Sequence, residues 1–229
     1  MTLLEAKFHD KRLTMADEVF HQLRTDIITL RLIPGAKISE VEIAKKFGVS
    51  RQPVREAFAR LSEINFLLIR PQMATRVRKI SIPDIKDSRF IRTAVEVEVA
   101  RRACASIASH DKDALSENLI EQRHIMKHGD FNQFQEVDYT FHQLICNAAG
   151  CGPAFRSIEE TKSQVDRLCT LALQDIAGMA EIYDDHLQIF EALCARDEEE
   201  AVRLIRFHLA RLDDTIAKAR EYHRDYFED

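Results

Sequence analysis

Apolar residues recur at three- and four-residue spacing in the first third of the chain, and this pattern predicts three short helices. The first covers residues 14–32 and ends before Pro34-Gly35, which cannot continue a helix. Ser39 starts the second helix with a capping-box sequence, and Gly48 ends it. Ser50 is placed to cap the third. The buried side of that third helix is predicted to consist of Val54, Ala57, Phe58 and Leu61.

Two short segments after the third helix, at residues 66–69 and 75–78, lie on either side of Pro71 and look like strands. They predict a small β-hairpin. Three helices and a hairpin, with a short turn at Gly48 between the second and third helices, describe a winged helix-turn-helix. A helical protein-interaction module with ordinary surface arginines is the alternative to a DNA-binding domain.

The third helix would enter the major groove of DNA by its N-terminal end. Arginine can donate two hydrogen bonds to guanine, and glutamine can pair with adenine. Arginines of the hairpin could add phosphate or minor-groove contacts. The predicted DNA contacts are Arg51, Gln52, Arg55, Arg60, Arg76 and Arg78.

A helical pattern continues almost without interruption after Pro83, which permits a new helix directly after it. Six or seven helices are predicted, because the break near Gly178 and the length of the segment 153–177 leave the number open. The predicted helices cover residues 84–109, 111–128, 131–149, 153–177, 179–195 and 198–223. The fold class is therefore mainly α: a winged helix-turn-helix in residues 1–79, a linker at 80–83, and an all-helical bundle in 84–229.

Charge is distributed unevenly along the 229 residues, although the whole chain carries only −5. Residues 1–79 contain 15 Lys or Arg and 9 Asp or Glu, which gives +6, and the remainder contains 18 and 29, which gives −11. A basic N-terminal module joined to an acidic one favours a polyanionic partner for the first.

The sequence contains no long uncharged apolar run and no signal-peptide pattern, so no transmembrane helix is expected. Five cysteines form no C-x-x-C pair, so reduced thiols in a cytoplasmic protein are expected. No phosphate-binding glycine loop, nucleophile elbow or zincin motif is found either.

Polar residues within apolar helix faces point to a metal site. Asp138 and His142 lie four residues apart in one apolar stripe, and His186 and His208 lie within the stripes of two later helices. A buried carboxylate needs a partner. One carboxylate and three imidazoles suit a divalent transition metal, with Zn as the leading candidate and Ni, Mn or Fe as alternatives.

The first third resembles the DNA-binding domain of GntR-family bacterial transcription regulators. The resemblance rests on the segments LIPGAKISE at 32–40 and AKKFGVSRQPVREA at 44–57. It implies an operator-binding winged helix with Arg51 and Arg55 at the base-reading positions. Asn65 stands where that family often has glycine, and asparagine tolerates the left-handed conformation. Ala74 stands at the wing tip in place of glycine, so a different wing turn is expected.

The remainder resembles the FCD effector domain of the FadR-like branch of that family. The resemblance rests on Arg92 to Glu96, Asp138-x-x-x-His142, His186 and His208, in that order. It implies that the Asp-His-His-His set binds a metal, that the domain dimerises, and that the effector is a small carboxylate such as a sugar acid, hydroxy acid or amino acid. Arg92 could bind the effector carboxylate, or it could simply pair with Glu96 one helical turn away.

These observations together predict a ligand-responsive transcription regulator, most simply a homodimeric repressor that reads a palindromic operator in double-stranded DNA. Two alternatives remain at this point. A metal-dependent helical enzyme would use the same four ligands to activate water or oxygen. A metal sensor would need no organic effector.

Overall fold

A computed structural model describes residues 14–172 and 176–228 of the chain. The protein forms two compact units. The first comprises the described residues up to Ile27 together with Arg31–Arg78, and the second comprises Ile28–Leu30 and the chain from Lys79 onward.

The first unit is the predicted winged helix-turn-helix. Its elements are α1 (Met15–Ile28), α2 (Glu40–Phe47), α3 (Arg51–Glu63), β1 (Leu67–Leu68) and β2 (Arg76–Val77). The first helix ends four residues earlier than predicted, because the backbone turns into the left-handed region at Leu30, with φ 57°. Ser39 caps α2 by accepting a hydrogen bond from the Val41 amide. Ser50 occupies the cap position of α3 but makes no side-chain capping bond.

The wing is a two-stranded antiparallel hairpin in which Leu67 lies opposite Val77. Asn65 adopts φ 61°, as its tolerance of that conformation predicts. The left-handed residue of the wing turn is Gln72, with φ 59°, and not Ala74. Ala74 therefore does not need a positive φ in this turn.

The second unit is the predicted helical bundle, with seven α-helices and one short 3₁₀ turn in its described residues. The elements are α4 (Ile82–Ser106), α5 (Ser109–His128), α6 (Phe131–Ala148), α7 (Ala154–Ala172), α8 (Ile176–Ala195), α9 (Glu198–Ala210), α10 (Leu212–Tyr222) and η1 (Arg224–Tyr226). Its largest apolar core lies between α4, α5, α6, α8 and α9.

Three helix boundaries differ from the prediction. Helix α4 begins at Ile82, inside the expected linker, because Ser81 caps it and Pro83 fits its first turn. Gly178 lies inside α8 and does not separate two helices. The predicted final helix is two helices that meet at Arg211, whose amide bonds to His208 three residues earlier.

The end of the chain pairs with the start of the bundle. The Ile80 amide donates to Tyr226 O at 2.8 Å, and the Glu228 amide donates to Ile80 O at 2.9 Å. Ile80 and Phe227 are both buried. Residues 80 and 81 are therefore held against the bundle and do not form a free linker. No helix in residues 14–172 or 176–228 is long and apolar enough to cross a membrane.

Candidate functional site

The DNA-facing candidates lie mainly on α3. Val54, Ala57, Phe58 and Leu61 are buried as predicted, so the opposite side of the helix faces solvent. Arg51, Gln52 and Arg55 are all exposed at the N-terminal end of that side. Gly48, with φ 65°, ends α2 and allows the tight turn between the two helices. This is the arrangement in which a second helix presents its first residues to a DNA groove.

Glu40, the first residue of α2, holds the two leading arginines together. Its Oε2 accepts from Arg51 Nη2 at 3.0 Å and from Arg55 Nη2 at 3.4 Å. Burial raises the pKa of Glu40, but the two guanidinium groups outweigh that effect and hold the pKa below its usual range. Both arginines are thus oriented at the same exposed end of α3 before any DNA is bound.

Two other predicted DNA contacts bond to residues of the first unit itself. The Arg60 guanidinium pairs with Asp17 Oδ1 at 2.8 Å and lies 4.0 Å over the Phe20 ring, so it fastens α3 to α1. Arg76 donates to Gly35 O at 2.8 Å and orients the wing. Arg78 is half-buried. Of the six candidates, Arg51, Gln52, Arg55 and Arg76 are exposed, and Gln52 Nε2 donates to Glu56 Oε1 at 3.0 Å.

The bundle brings Asp138, His142, His186 and His208 together from α6, α8 and α9. One ligand atom from each residue lies within 4.8 Å of all the others. His142 Nε2 and His186 Nε2 lie 3.9 and 3.4 Å from Asp138 Oδ1. All four side chains are buried or nearly so. Four predicted ligands, separated by up to 70 positions in sequence, therefore surround one point.

Each histidine ring is oriented through its Nδ1 atom by a different side chain. His142 Nδ1 lies 2.8 Å from Glu96 Oε2, and His208 Nδ1 lies 3.2 Å from Asp185 Oδ2. His186 Nδ1 lies 3.0 Å from the side-chain oxygen of Gln122. Partners of this kind fix the ring orientation of metal-binding histidines and leave Nε2 for the ion.

The donor set fits a divalent metal. Among the described residues, His142 Nε2 and His186 Nε2 are fully buried and have no hydrogen-bond partner. Burial, with some help from His208, lowers the pKa of His186 well below its usual range, so the ring is neutral and able to donate a lone pair. A lone pair on either nitrogen is repelled by the carboxylate oxygen that it faces, unless a proton or a metal cation lies between them. Imidazole and carboxylate ligands together suit Zn²⁺ and related ions.

Lys162 and Asp166 on α7 complete the charged cluster. Lys162 Nζ lies 2.8 Å from both Asp138 Oδ2 and Asp166 Oδ1, and 4.1 Å over the Tyr139 ring. The Tyr139 hydroxyl donates to Asp166. Burial raises the pKa of Asp138, but Lys162 and the histidines outweigh it and hold the pKa below its usual range. Asp138 is thus a carboxylate with one oxygen on Lys162 and the other facing the histidines.

A cavity of about 360 Å³ opens beside this cluster. Its wall includes both Asp138 and His208. Four cationic side chains, Arg92, Lys162, Arg211 and Lys218, also line it, together with the acidic Glu181 and Asp214. Apolar side chains such as Phe131, Phe134 and Leu212 form much of the remaining wall. A concave, mostly apolar site with a few convergent charges is typical of small-molecule binding.

Arg92 forms the ion pair that its spacing predicts: Nε lies 2.7 Å from Glu96 Oε1, and both side chains are buried. The same guanidinium lines the cavity, and its Nη2 is buried with no hydrogen-bond partner among the residues described. The ion pair and an effector contact are therefore compatible. Nε holds Glu96, while Nη2 remains available.

Several residues of this site were not singled out by sequence reasoning. They are Asn118, Gln122, Lys162, Asp166, Asp185 and Arg211. The available signal was polarity at a position that helical periodicity buries: Lys162 and Asp166 lie beside Ile158 and Val165 on the inward side of α7. The sequence does not show that these inward polar residues face Asp138, because that depends on how α7 packs.

The comparisons with known proteins agree with both halves of the chain. Residues 15–77 match the bacterial regulatory proteins of the gntR family, and residues 87–211 match the FCD domain. The HTH-type transcriptional repressor RspR of Escherichia coli K12 is 36% identical over 210 residues, which cover 92% of each chain. The "Probable D-xylose utilization operon transcriptional repressor" of Paenarthrobacter nicotinovorans is 30% identical over 199 residues, 87% of each chain.

Solved structures show the same architecture. E. coli McbR/YncC superimposes with a TM-score of 0.75 at 21% identity, over 93% of this chain and all of that one. The family and the named relatives are transcription regulators and not enzymes, so the metal-dependent enzyme is not supported. The chain belongs to the GntR family of DNA-binding transcription regulators, with a winged helix-turn-helix domain followed by an FCD domain.

Proposed function

We propose that this regulator is a repressor whose affinity for its operator responds to a small organic acid bound beside a divalent metal. The observation that carries the proposal is the buried Asp138–His142–His186–His208 cluster beside a cavity whose wall contains Arg92, Lys162 and Arg211. Zn²⁺ is the ion we favour for three imidazoles and one carboxylate. Names of repressors among the relatives support the direction of regulation.

The charges of the cluster favour an anionic effector. Its four buried carboxylates, Glu96, Asp138, Asp166 and Asp185, contribute −4, and the paired cations Arg92, Lys162 and Arg211 contribute +3. The sum is −1, and a divalent cation changes it to +1. A carboxylate would then restore neutrality in a site shielded from water, with Arg92 Nη2 as a charge-assisted donor. The metal would supply an open coordination position for that carboxylate.

A homodimer would place two copies of α3 on the two halves of a palindromic operator, because a two-fold protein reads a two-fold site. Phe90 on α4 is 76% exposed, an unusual state for a large aromatic side chain and a candidate for the subunit contact. Effector binding would change the relative placement of the two α3 helices. A coupling of about 1–3 kcal/mol between effector and operator is typical of such regulators.

A thermal-shift and operator-binding series tests this function. The protein is stripped with EDTA, reloaded with Zn²⁺, and screened against sugar acids, hydroxy acids, dicarboxylates and amino acids. An acid at 100 times its Kd should add about 2.7 kcal/mol of stability, and only in the metal-loaded protein. The same acid should weaken operator binding by about 5- to 150-fold. If operator affinity follows Zn²⁺ concentration alone and no acid binds, the protein is a metal sensor.

Replacing Arg51 with Ala should weaken binding to a matched operator by about 1–3 kcal/mol, because a bidentate contact to guanine is lost. The loss should be larger on the matched operator than on unrelated DNA, as measured by fluorescence anisotropy at fixed salt. Arg123→Ala, an exposed arginine on α5, is the matched control and should change neither affinity. An equal loss on both DNAs would assign Arg51 to the phosphate backbone.

A further inference from the structure

Two amide side chains are buried in α5, where apolar residues would normally be found. Asn118 is 5% exposed and Gln122 is fully buried. They lie one helical turn apart on the side of α5 that packs against α6 and α8. Burying an amide costs free energy unless its hydrogen bonds are made. The hydrogen bonds that the two amides make therefore indicate their role.

The amides form a chain of hydrogen bonds that ends on His186. Asn118 Nδ2 donates to the backbone oxygen of Val137 at 3.0 Å. Gln122 Nε2 donates to Asn118 Oδ1 at 2.6 Å. Gln122 Oε1 then lies 3.0 Å from His186 Nδ1. All of these groups are buried, so bulk water is not available as a substitute partner.

This chain can have only one polarity. A backbone carbonyl accepts and never donates, so the Asn118 group facing Val137 must be the NH₂. The oxygen of Asn118 then faces Gln122, which must donate its own NH₂ to it. The remaining Gln122 oxygen faces His186 and can only accept. His186 Nδ1 must therefore carry the proton, and a neutral ring then has none on Nε2.

The bare Nε2 points at a second acceptor. It lies 3.4 Å from Asp138 Oδ1, and Phe141 stacks on the same ring with centroids 4.2 Å apart, which limits its rotation. A lone pair facing a carboxylate oxygen in a dry site is repelled. With the ring neutral and its proton on Nδ1, a metal cation between the two atoms would relieve this repulsion.

We propose that Asn118 and Gln122 are positioning residues that set the tautomer of His186, so that its unprotonated Nε2 faces the metal. The inference rests on the metal site proposed above. We call the hydrogen-bond chain from Val137 O through Asn118 and Gln122 to His186 the relay. It orients His186 through two neutral amides, whereas the other two histidines are oriented by carboxylates that Arg92 and Arg211 hold in place.

Nitrogen NMR of the metal-free protein tests the tautomer without any metal. With ¹⁵N-labelled histidine, the His186 ring should show a protonated Nδ1 and a bare Nε2. The resonance is assigned by its loss in His186→Gln. A ring protonated on Nε2 would overturn the relay. If the ring shows the expected tautomer but the protein binds no metal, the hydrogen-bond chain is supported and the metal site is refuted.

Zn²⁺ affinity, measured by chelator competition, tests what the relay does. Gln122→Met keeps the shape of the side chain but cannot accept from Nδ1, so affinity should fall about 10- to 100-fold. Gln188→Met is the matched control, an exposed glutamine on the helix that carries His186, and should bind as the wild type does. Gln122→Glu restores an acceptor and should bind more tightly than Gln122→Met.

A merely structural role predicts a different result. Gln122→Met would then lower the midpoint of thermal unfolding in the metal-free protein and leave Zn²⁺ affinity unchanged, which would overturn the proposal. Equal losses of affinity in the Met and Glu variants would also overturn it. If Gln122→Met does not fold, the proposal is tested by the tautomer in the wild-type nitrogen spectrum and by the Zn²⁺ affinity of Gln122→Glu.

Discussion

Replacing Lys162 with Met should lower the free energy of unfolding of the metal-free protein by about 3–5 kcal/mol. Lys162 Nζ is the shared partner of Asp138 and Asp166, at 2.8 Å from each, and all three side chains are less than 10% exposed. Methionine fills nearly the same volume but leaves two buried carboxylates without their cation. Removing one member of a buried charge cluster is costly because the remaining charges are desolvated and unpaired.

Urea unfolding followed by circular dichroism measures this loss, and metal should reverse part of it. A divalent cation at the cluster would compensate Asp138 in place of the ammonium group, although Asp166 would keep, among the described residues, only the Tyr139 hydroxyl as a side-chain partner. Zn²⁺ should therefore stabilise Lys162→Met more than it stabilises the wild type. Lys86→Met, at an exposed position on α4, is the matched control and should change stability by less than about 0.5 kcal/mol. A loss below about 1 kcal/mol for Lys162→Met would show that the carboxylates find other partners.

Metal binding should stabilise the wild-type protein strongly and the Asp138→Asn variant weakly. At a free Zn²⁺ concentration 1,000 times its Kd, the wild type should gain about 4.1 kcal/mol. Asparagine keeps the shape of the side chain and an oxygen for Lys162, but it removes the only anionic ligand. If affinity falls about a hundredfold, the gain at the same concentration drops to about 1.4 kcal/mol.

Differential scanning calorimetry of the stripped and loaded proteins measures both gains. Asp113→Asn, an exposed acidic residue on α5, is the control and should keep the full wild-type gain. An undiminished gain in Asp138→Asn would mean that Zn²⁺ binds elsewhere, and the cluster would then be a buried polar network without a metal.

The two-part architecture could be predicted from residues close together in sequence. The winged helix follows from local signals, such as the cap at Ser39, the left-handed turn at Gly48 and the apolar stripe of α3. These signals act within a few residues, so they do not depend on the rest of the fold. Helix ends were harder to predict, because they also depend on packing. Gly178 was expected to break a helix but lies inside α8, whereas the predicted last helix is interrupted at Arg211.

The four candidate metal ligands were also accessible from sequence. Asp138, His142, His186 and His208 each interrupt an apolar stripe, and periodicity alone turns all four inward. That is a statement about each helix by itself. It could not show that their ligand atoms lie within 4.8 Å of one another, which required the packing of α6, α8 and α9.

The sequence by itself determined the order of domains, the buried face of most helices and the residue types able to hold a metal, because these depend on local periodicity and side-chain chemistry. Only the tertiary structure decided which buried polar groups meet. Gln122 reaches His186 across 64 positions, and the cavity beside Lys162 lies between helices that are distant in the chain. Such contacts depend on how the helices pack against one another, and that arrangement is a property of the whole core.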